Sequence, residues 1–212
     1  MAQLDWLGTP PPTARPASGS RDALDRYYTP PRLARAIVTA VHAVEPLSGV
    51  VLEPSAGAGA FARAILDLTP AEVIVADLDP AAPALMSPAW AQRRAAGERT
   101  PCASYCGRDF ASIDWLRPAW VIGNPPYSAA EEHVRHALTM SRHVVFLLRA
   151  AFVESKGRSA FWRDNPCRHV WFCAERPSFT SGGTDSAAYA VFWWDTAYHG
   201  PTTCTPGWTW RA

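Results

Sequence analysis

The sequence has almost no net charge and almost no lysine. Its 212 residues sum to a formal charge of +1, and Lys156 is the single lysine among 20 basic residues. A strongly basic balance would by itself indicate nucleic-acid binding, and that indication is missing. Arginine binds phosphate through a planar fork of donors, but it is also a common surface cation, so its abundance alone decides nothing.

Paired cysteines are absent as well. The five cysteines are Cys102, Cys106, Cys167, Cys173 and Cys204. Their odd number and the lack of a Cys-x-x-Cys pair favour reduced thiols over a disulfide framework. Structural zinc needs four ligands, so we expect no metal. His133 and His136 could share one helix face, but two ligands do not make a site, and we interpret both as surface histidines.

Long apolar runs are also missing. The longest, residues 144–153, is interrupted by Arg149 and is too short to span a bilayer. The N-terminus lacks the basic start and following apolar run that are typical of a signal peptide, so we expect a cytoplasmic protein without membrane contacts.

Hydrophobic residues make up 48% of the chain, which indicates a globular protein of about one domain. Residues 1–20 are rich in proline, alanine and serine, a composition typical of a flexible leader. We expect the folded domain over residues 21–195 and a short tail over residues 196–212.

Helical and strand patterns alternate along the domain. Apolar spacing predicts a helix over residues 31–44 and a second carrying Phe61, Ile65 and Leu68. The alanine- and proline-rich stretch 80–101 is interpreted as a broken helix. Ser128 and Glu131 resemble a capping box that opens another helix. Short apolar runs predict strands at 50–53, 73–76, 102–106, 119–122, 143–148, 169–174 and 187–194. The alternation indicates a doubly wound, mostly parallel seven-stranded α/β sheet with an antiparallel last strand.

A glycine-rich turn joins the first strand to the helix that follows it. Gly57 and Gly59 would let the backbone approach a ligand, and the helix N-terminus offers free N–H groups. Asp77 ends the next strand, where an acid can accept hydrogen bonds from ribose hydroxyls. The same spacing fits NAD and S-adenosylmethionine, so this segment alone leaves the nucleotide open.

The tetrapeptide Asn124-Pro125-Pro126-Tyr127 follows the fourth strand and would lie beside the cofactor crevice. An Asn side-chain oxygen and a proline carbonyl can each accept one hydrogen of a planar amino group. Such contacts localise the nitrogen lone pair, which is what methyl transfer to adenine N6 requires; catalysis is then positioning and electrostatics. A base in a duplex must be flipped out first, and the Tyr127 ring offers it a stacking surface.

Together, these segments resemble the DNA N6-adenine methyltransferases of gamma-type motif order, in particular a compact group common in phage and prophage genomes. The resemblance covers residues 22–195 and begins at Asp25-Arg26-Tyr27-Tyr28-Thr29-Pro30. It implies a Rossmann-like class I methyltransferase fold with S-adenosylmethionine as cofactor. The implied cofactor-binding residues are Tyr28, Thr29, Pro30, Glu53, Ser55, Ala56, Gly57, Gly59, Asp77, Leu78, Asp109, Phe110 and Asn124.

The resemblance also assigns catalysis and substrate contacts. Asn124, Pro125, Pro126 and Tyr127 would be catalytic, and DNA with a flipped adenine would be the partner. Implied substrate contacts are Tyr127, Lys156, Arg158, Phe179, Thr184 and Asp185. The chain departs from restriction-modification members because no room remains after Asp195 for a target-recognition domain. Specificity would then be loose or come from a partner or a homodimer.

Three alternatives stay open. The same tetrapeptide serves enzymes that methylate RNA adenine or a protein glutamine amide, because an amide NH2 presents the same two hydrogens. The third alternative is a protein that binds the cofactor without turnover.

Overall fold

The computed structural model describes residues 28–179 and 187–210, and in one helix the side chains of residues 83–87 are outside the description. The expected leader over residues 1–20, the segment 25–27 and the two substrate contacts Thr184 and Asp185 therefore lie outside the described residues.

Five α-helices connect the strands. They are α1 (Pro31–Val44), α2 (Ala60–Leu68), α3 (Ala82–Ala95), α4 (Ala130–Met140) and α5 (Ser159–Asp164). Short 3-10 helices occupy Phe110–Ser112, Tyr127–Ala129, Ala150–Val153 and Lys156–Arg158. Pro31 begins α1, where its missing N–H costs no helical hydrogen bond. Leu33, Ile37 and Val41 are buried as the spacing predicts, whereas Val44 is exposed at the end of α1.

The strands form one sheet in the order β3-β2-β1-β4-β5-β7-β6-β8. They are β1 (Val50–Glu53), β2 (Glu72–Asp77), β3 (Ala103–Cys106), β4 (Trp120–Gly123), β5 (His143–Arg149), β6 (His169–Cys173), β7 (Tyr189–Asp195) and β8 (Thr203–Trp208). Only β7 runs antiparallel to its neighbours, β5 and β6. The predicted doubly wound, mostly parallel α/β sheet with an antiparallel strand near its end is confirmed.

The eighth strand is the exception, because seven strands and a short tail over residues 196–212 were expected. β8 pairs in parallel with β6, and the Trp208 ring stacks on Trp171 with 6.0 Å between ring centroids. Most of β8 is exposed at the sheet edge. An exposed edge strand needs no apolar alternation, so its Thr, Pro and Gly residues resemble a loop in sequence.

Two cores lie on opposite faces of the sheet. Val145 and Leu147 of β5 face the core under α1, α2 and α3, whereas Val144 and Phe146 face the core under α4 and α5. A strand buried on both faces has a continuous apolar run, which explains why β5 was recognisable.

Two helix predictions were wrong in detail. α3 continues through Pro88 as a single helix, although the proline removes one backbone hydrogen bond. α4 begins at Ala130, after a 3-10 turn, with Ala129 as its N-cap residue and no side-chain cap. Glu131 pairs with Arg135 and Arg158 instead of closing a capping box with Ser128.

An ion-pair network lies at the amino-terminal ends of the parallel strands. Buried Asp195 contacts Arg142 at 2.9 Å and Arg168 at 3.2 Å, and Arg168 also pairs with Glu45. His143 Nε2 lies 3.2 Å from Glu45. Two carboxylates and a histidine lie close enough to hold a metal ion. Guanidinium groups already occupy both carboxylates, so we interpret the cluster as structural.

All five cysteines are free thiols. Within residues 28–179 and 187–210, no helix is both long and apolar enough to cross a membrane.

Candidate active site

The carboxyl ends of β1, β2 and β4 surround a cavity of about 300 Å³, which is large enough for a nucleotide-sized ligand. The predicted site residues that line this cavity are Tyr28, Ser55, Gly57, Asp77, Leu78, Asp109, Phe110, Asn124 and Pro126. A small adjoining recess adds Thr29, Glu53 and Ala56. Pro30 and Gly59 line neither; they are the N-cap residues of α1 and α2.

The glycine turn has the backbone shape that only glycine adopts easily. Gly57 has φ +49° and Gly59 has φ +72°. A Cβ at Gly57 would lie 2.9 Å from Cδ1 of Tyr28, so the tyrosine ring covers the turn directly. The residues before α1 and after β1 therefore form one cradle, although they are far apart in sequence.

Asp77 holds that turn in place. Its Oδ2 accepts a 2.7 Å hydrogen bond from the Gly57 amide, and its Oδ1 accepts one of 2.8 Å from the Asp79 amide. The carboxylate is half-buried at the mouth of the cavity. Asp77 therefore organises the backbone that a ligand would meet, in addition to the ribose contact expected for it.

Glu53 is buried at the floor of the recess. Its Oε2 accepts a 2.8 Å hydrogen bond from the amide of Ala62 in the first turn of α2. Burial raises the pKa of Glu53 to about 8, against smaller lowering effects of the Ala62 and Phe61 amides. The carboxyl group is therefore mainly protonated at neutral pH and would ionise when a cation binds beside it.

Phe110 and two histidines form one wall of the cavity. The Phe110 ring is buried, with its centroid 5.3 Å from that of His133 and 4.7 Å from that of His136. The prediction that these are surface histidines was wrong, because the 3-10 turn Phe110–Ser112 packs against α4 and both rings are half-buried in the cavity wall. Asp109 caps that turn by accepting from the Ala111 amide at 3.0 Å.

His133 connects three parts of the site. Its Nε2 lies 3.5 Å from Oγ of Ser55, its Nδ1 lies 3.1 Å from the Ala129 carbonyl, and its ring touches Phe110. Burial lowers the pKa of His133, so the ring is neutral at pH 7. The sequence held a signal for this residue, since His133 and His136 lie one turn apart on the helix that follows the tetrapeptide.

The cavity wall is acidic. Asp77, Asp79, Asp109 and Glu132 line it, and the described lining residues include neither lysine nor arginine. An anionic ligand would be repelled here, whereas a positively charged one would be attracted.

Asn124 lies between the cavity and an aromatic cluster. It is 9% exposed and lines both the cavity and the recess. The adjacent Tyr127 ring packs against Tyr189 at 5.5 Å and Phe179 at 6.4 Å, and the Arg149 guanidinium lies over its face at 5.1 Å. Burial raises the pKa of Tyr127 well above its usual value, so its hydroxyl stays protonated. Sequence reasoning missed Tyr189 and Arg149.

The two predicted basic contacts lie away from these cavities. Arg158 Nε pairs with Glu131 at 3.1 Å, and its guanidinium lies over the Phe152 ring at 4.7 Å. Lys156 is exposed in the 3-10 turn Lys156–Arg158. Arg158 is thus already engaged by its own chain.

No family model matches the sequence. Solved structures do match. One is a protein of Pyrococcus horikoshii described as a candidate RNA methyltransferase, with a TM-score of 0.67 and 19% identity over 81% of this chain and 87% of that one. Another is the type I restriction-modification methyltransferase subunit of Streptococcus thermophilus, with a TM-score of 0.63 and 13% identity over 81% of this chain.

A third match is the modification subunit of a candidate type I restriction enzyme from Vibrio vulnificus, with a TM-score of 0.59 and 14% identity over 84% of this chain. This chain covers 45% of each restriction subunit. At these identities the likeness is one of fold, and the chain has the Rossmann-like fold of class I methyltransferases.

Proposed function

We propose that the chain is an S-adenosylmethionine-dependent methyltransferase that acts on adenine N6 in DNA. The observation that carries the proposal is the position of Asn124. It lies at the end of β4, where it lines the cavity on one side and adjoins Tyr127 on the other. Asn124 would thus lie between a methyl donor in the cavity and an acceptor beside Tyr127, which is the arrangement that methyl transfer requires.

The cavity fits the proposed cofactor in its chemistry. S-adenosylmethionine, when bound, supplies a methyl group on a positively charged sulfonium, and the acidic wall suits a cation. Asp77 would hold the ribose hydroxyls, while Leu78, Asp109 and Phe110 would hold the adenine. Glu53, Tyr28 and Thr29 would hold the methionine end, where the buried carboxyl group can pair with an ammonium group.

Asn124 and the prolines after it would act on the acceptor. The Asn124 side-chain oxygen and a carbonyl of Pro125 or Pro126 would each accept one hydrogen of the amino group, which localises the nitrogen lone pair for attack. No strong base is needed, because the proton leaves after transfer. Tyr127 would stack on the extruded base, a contact that is worth about 1–3 kcal/mol per base.

Nucleic acid is favoured over protein as the acceptor. The aromatic cluster of Tyr127, Phe179 and Tyr189 suits a flat base better than a glutamine side chain. Of the three matched structures named above, two are described as parts of restriction or restriction-modification systems. The resemblance that Tyr28, Thr29 and Pro30 carry before α1 also implies DNA as the acceptor.

RNA adenine is the second candidate. The matched protein from Pyrococcus horikoshii is described as a candidate RNA methyltransferase, and this chain covers 87% of it. A protein with a similar fold and a similar length is therefore described as acting on RNA.

The test is a parallel assay of three acceptors with labelled S-adenosylmethionine. Unmethylated genomic DNA, unmodified RNA and total protein are incubated with the purified chain, and each product is digested and separated. We expect label in N6-methyladenine from DNA. Label only in RNA or only in glutamine would replace the proposed acceptor. Cofactor binding without label in any pool would reject turnover on these acceptors.

A further inference from the structure

Arg149 occupies a defined place beside the proposed acceptor site. It is the last residue of β5, whose neighbour β4 leads directly into Asn124, and in the ladder it stands opposite Tyr189. Its guanidinium lies 5.1 Å from the centroid of the Tyr127 ring, over the ring face. Such a contact is a cation–π interaction between the guanidinium group and the ring.

The charge distribution gives this arginine a distinct role. The cavity wall beyond Asn124 carries four carboxylates and, among the described residues that line it, no basic side chain. A polyanionic acceptor would be repelled from that side and attracted on the side of Arg149.

We propose that Arg149 is the phosphate-binding residue of the acceptor site and selects a nucleotide over an amide side chain. This inference rests on the proposed function. A base stacked on Tyr127 carries its 5′-phosphate one sugar away, so a guanidinium held at the same ring can reach that phosphate and bind it bidentately. A glutamine acceptor has no phosphate and would gain nothing from Arg149.

The test measures binding and its salt dependence in the full chain. The probe is a fluorescent single-stranded oligodeoxynucleotide with several adenines, titrated at several salt concentrations in the presence of S-adenosylhomocysteine. For Arg149→Gln we expect affinity to fall about tenfold and the slope of log affinity against log salt to shrink by about 0.7, the value for one lost phosphate contact on a single strand.

Two further variants make the result specific. Arg149→Lys keeps a point charge, so the slope should return while part of the affinity stays lost, because lysine lacks the planar fork. Arg163→Gln, on the exposed face of α5 beside Asp164, removes an arginine elsewhere and should leave both quantities unchanged. Calorimetry with S-adenosylmethionine checks that each variant keeps the cofactor site.

An unchanged salt slope in Arg149→Gln, even with weaker binding, would overturn the inference and leave Arg149 as a brace for Tyr127. The inference would also be overturned if the salt slope of Arg149→Lys stayed as small as that of Arg149→Gln. Because this assay needs no turnover, it is read separately from the acceptor assay. Absence of methylated product would reject the proposed function, whereas the slopes would still decide the role of Arg149.

Discussion

The Gly57 amide donates a 2.7 Å hydrogen bond to Oδ2 of Asp77, and this bond ties the glycine turn to the end of the neighbouring strand. The turn is therefore positioned by the same carboxylate that we assign to the ribose. The cofactor site and the local backbone depend on each other, and variants on either side of this bond should affect both.

Gly57→Ala should weaken S-adenosylmethionine binding by at least about tenfold, because alanine at φ +49° is strained and its Cβ would push the Tyr28 ring away. Isothermal calorimetry measures the effect. Gly97→Ala is the matched control, since Gly97 has φ +72° but nothing within 4 Å of the added Cβ. Equal loss of cofactor affinity in both variants would mean that global strain, and not the cradle, is responsible.

Asp77→Ala should lower cofactor affinity several-fold or more and should also lower the thermal midpoint. The amides of Gly57 and Asp79 both lose an acceptor, and an unsatisfied buried group costs about 1–3 kcal/mol. Calorimetry and thermal unfolding are measured together, with exposed Asp114→Ala as the control. Unaltered affinity in Asp77→Ala would contradict the ribose role.

Cofactor binding should release a proton from Glu53. The pKa of this carboxyl group is raised to about 8 in the free chain, so it is mainly protonated at pH 7. Pairing with the ammonium group of the cofactor lowers that pKa, so the proton leaves on binding and affinity rises as pH rises towards 8. Calorimetry at pH 7 in phosphate and in Tris should give different binding enthalpies.

Glu53→Gln serves as the control for proton release, because the neutral amide has no proton to lose yet can still accept from the Ala62 amide. Its binding enthalpy should therefore be the same in phosphate and in Tris. Buffer dependence of equal size in the wild type and in Glu53→Gln would assign the proton to another group.

Much of the architecture was predictable because its causes are local. Strands buried on both faces, such as β5, have uninterrupted apolar runs, and the glycine turn and Asn124 tetrapeptide lie where the strand ends require them. β8 was missed because an exposed edge strand needs no such run. It pairs with β6, which would be the edge strand of the sheet without it.

The missed site residues depend on contacts between distant segments. His133 is half-buried only because Phe110 packs on it, and Arg149 meets Tyr189 only because β7 enters the sheet antiparallel beside β5. Arg158 is a converse case, since its spacing favoured a substrate contact but Glu131 binds it within the chain. Periodicity and motif spacing do not report such pairings.

The most direct test of the account compares the wild type with Asn124→Ala on unmethylated genomic DNA with labelled S-adenosylmethionine. The DNA is digested to nucleosides and examined for N6-methyladenine, with Asn165→Ala, at the end of α5, as a remote control. We predict product from the wild type and the control, none from Asn124→Ala, and cofactor affinity in Asn124→Ala within about twofold of the wild type. Product formation that survives Asn124→Ala, or a wild type that binds the cofactor and yields no N6-methyladenine, would contradict the account.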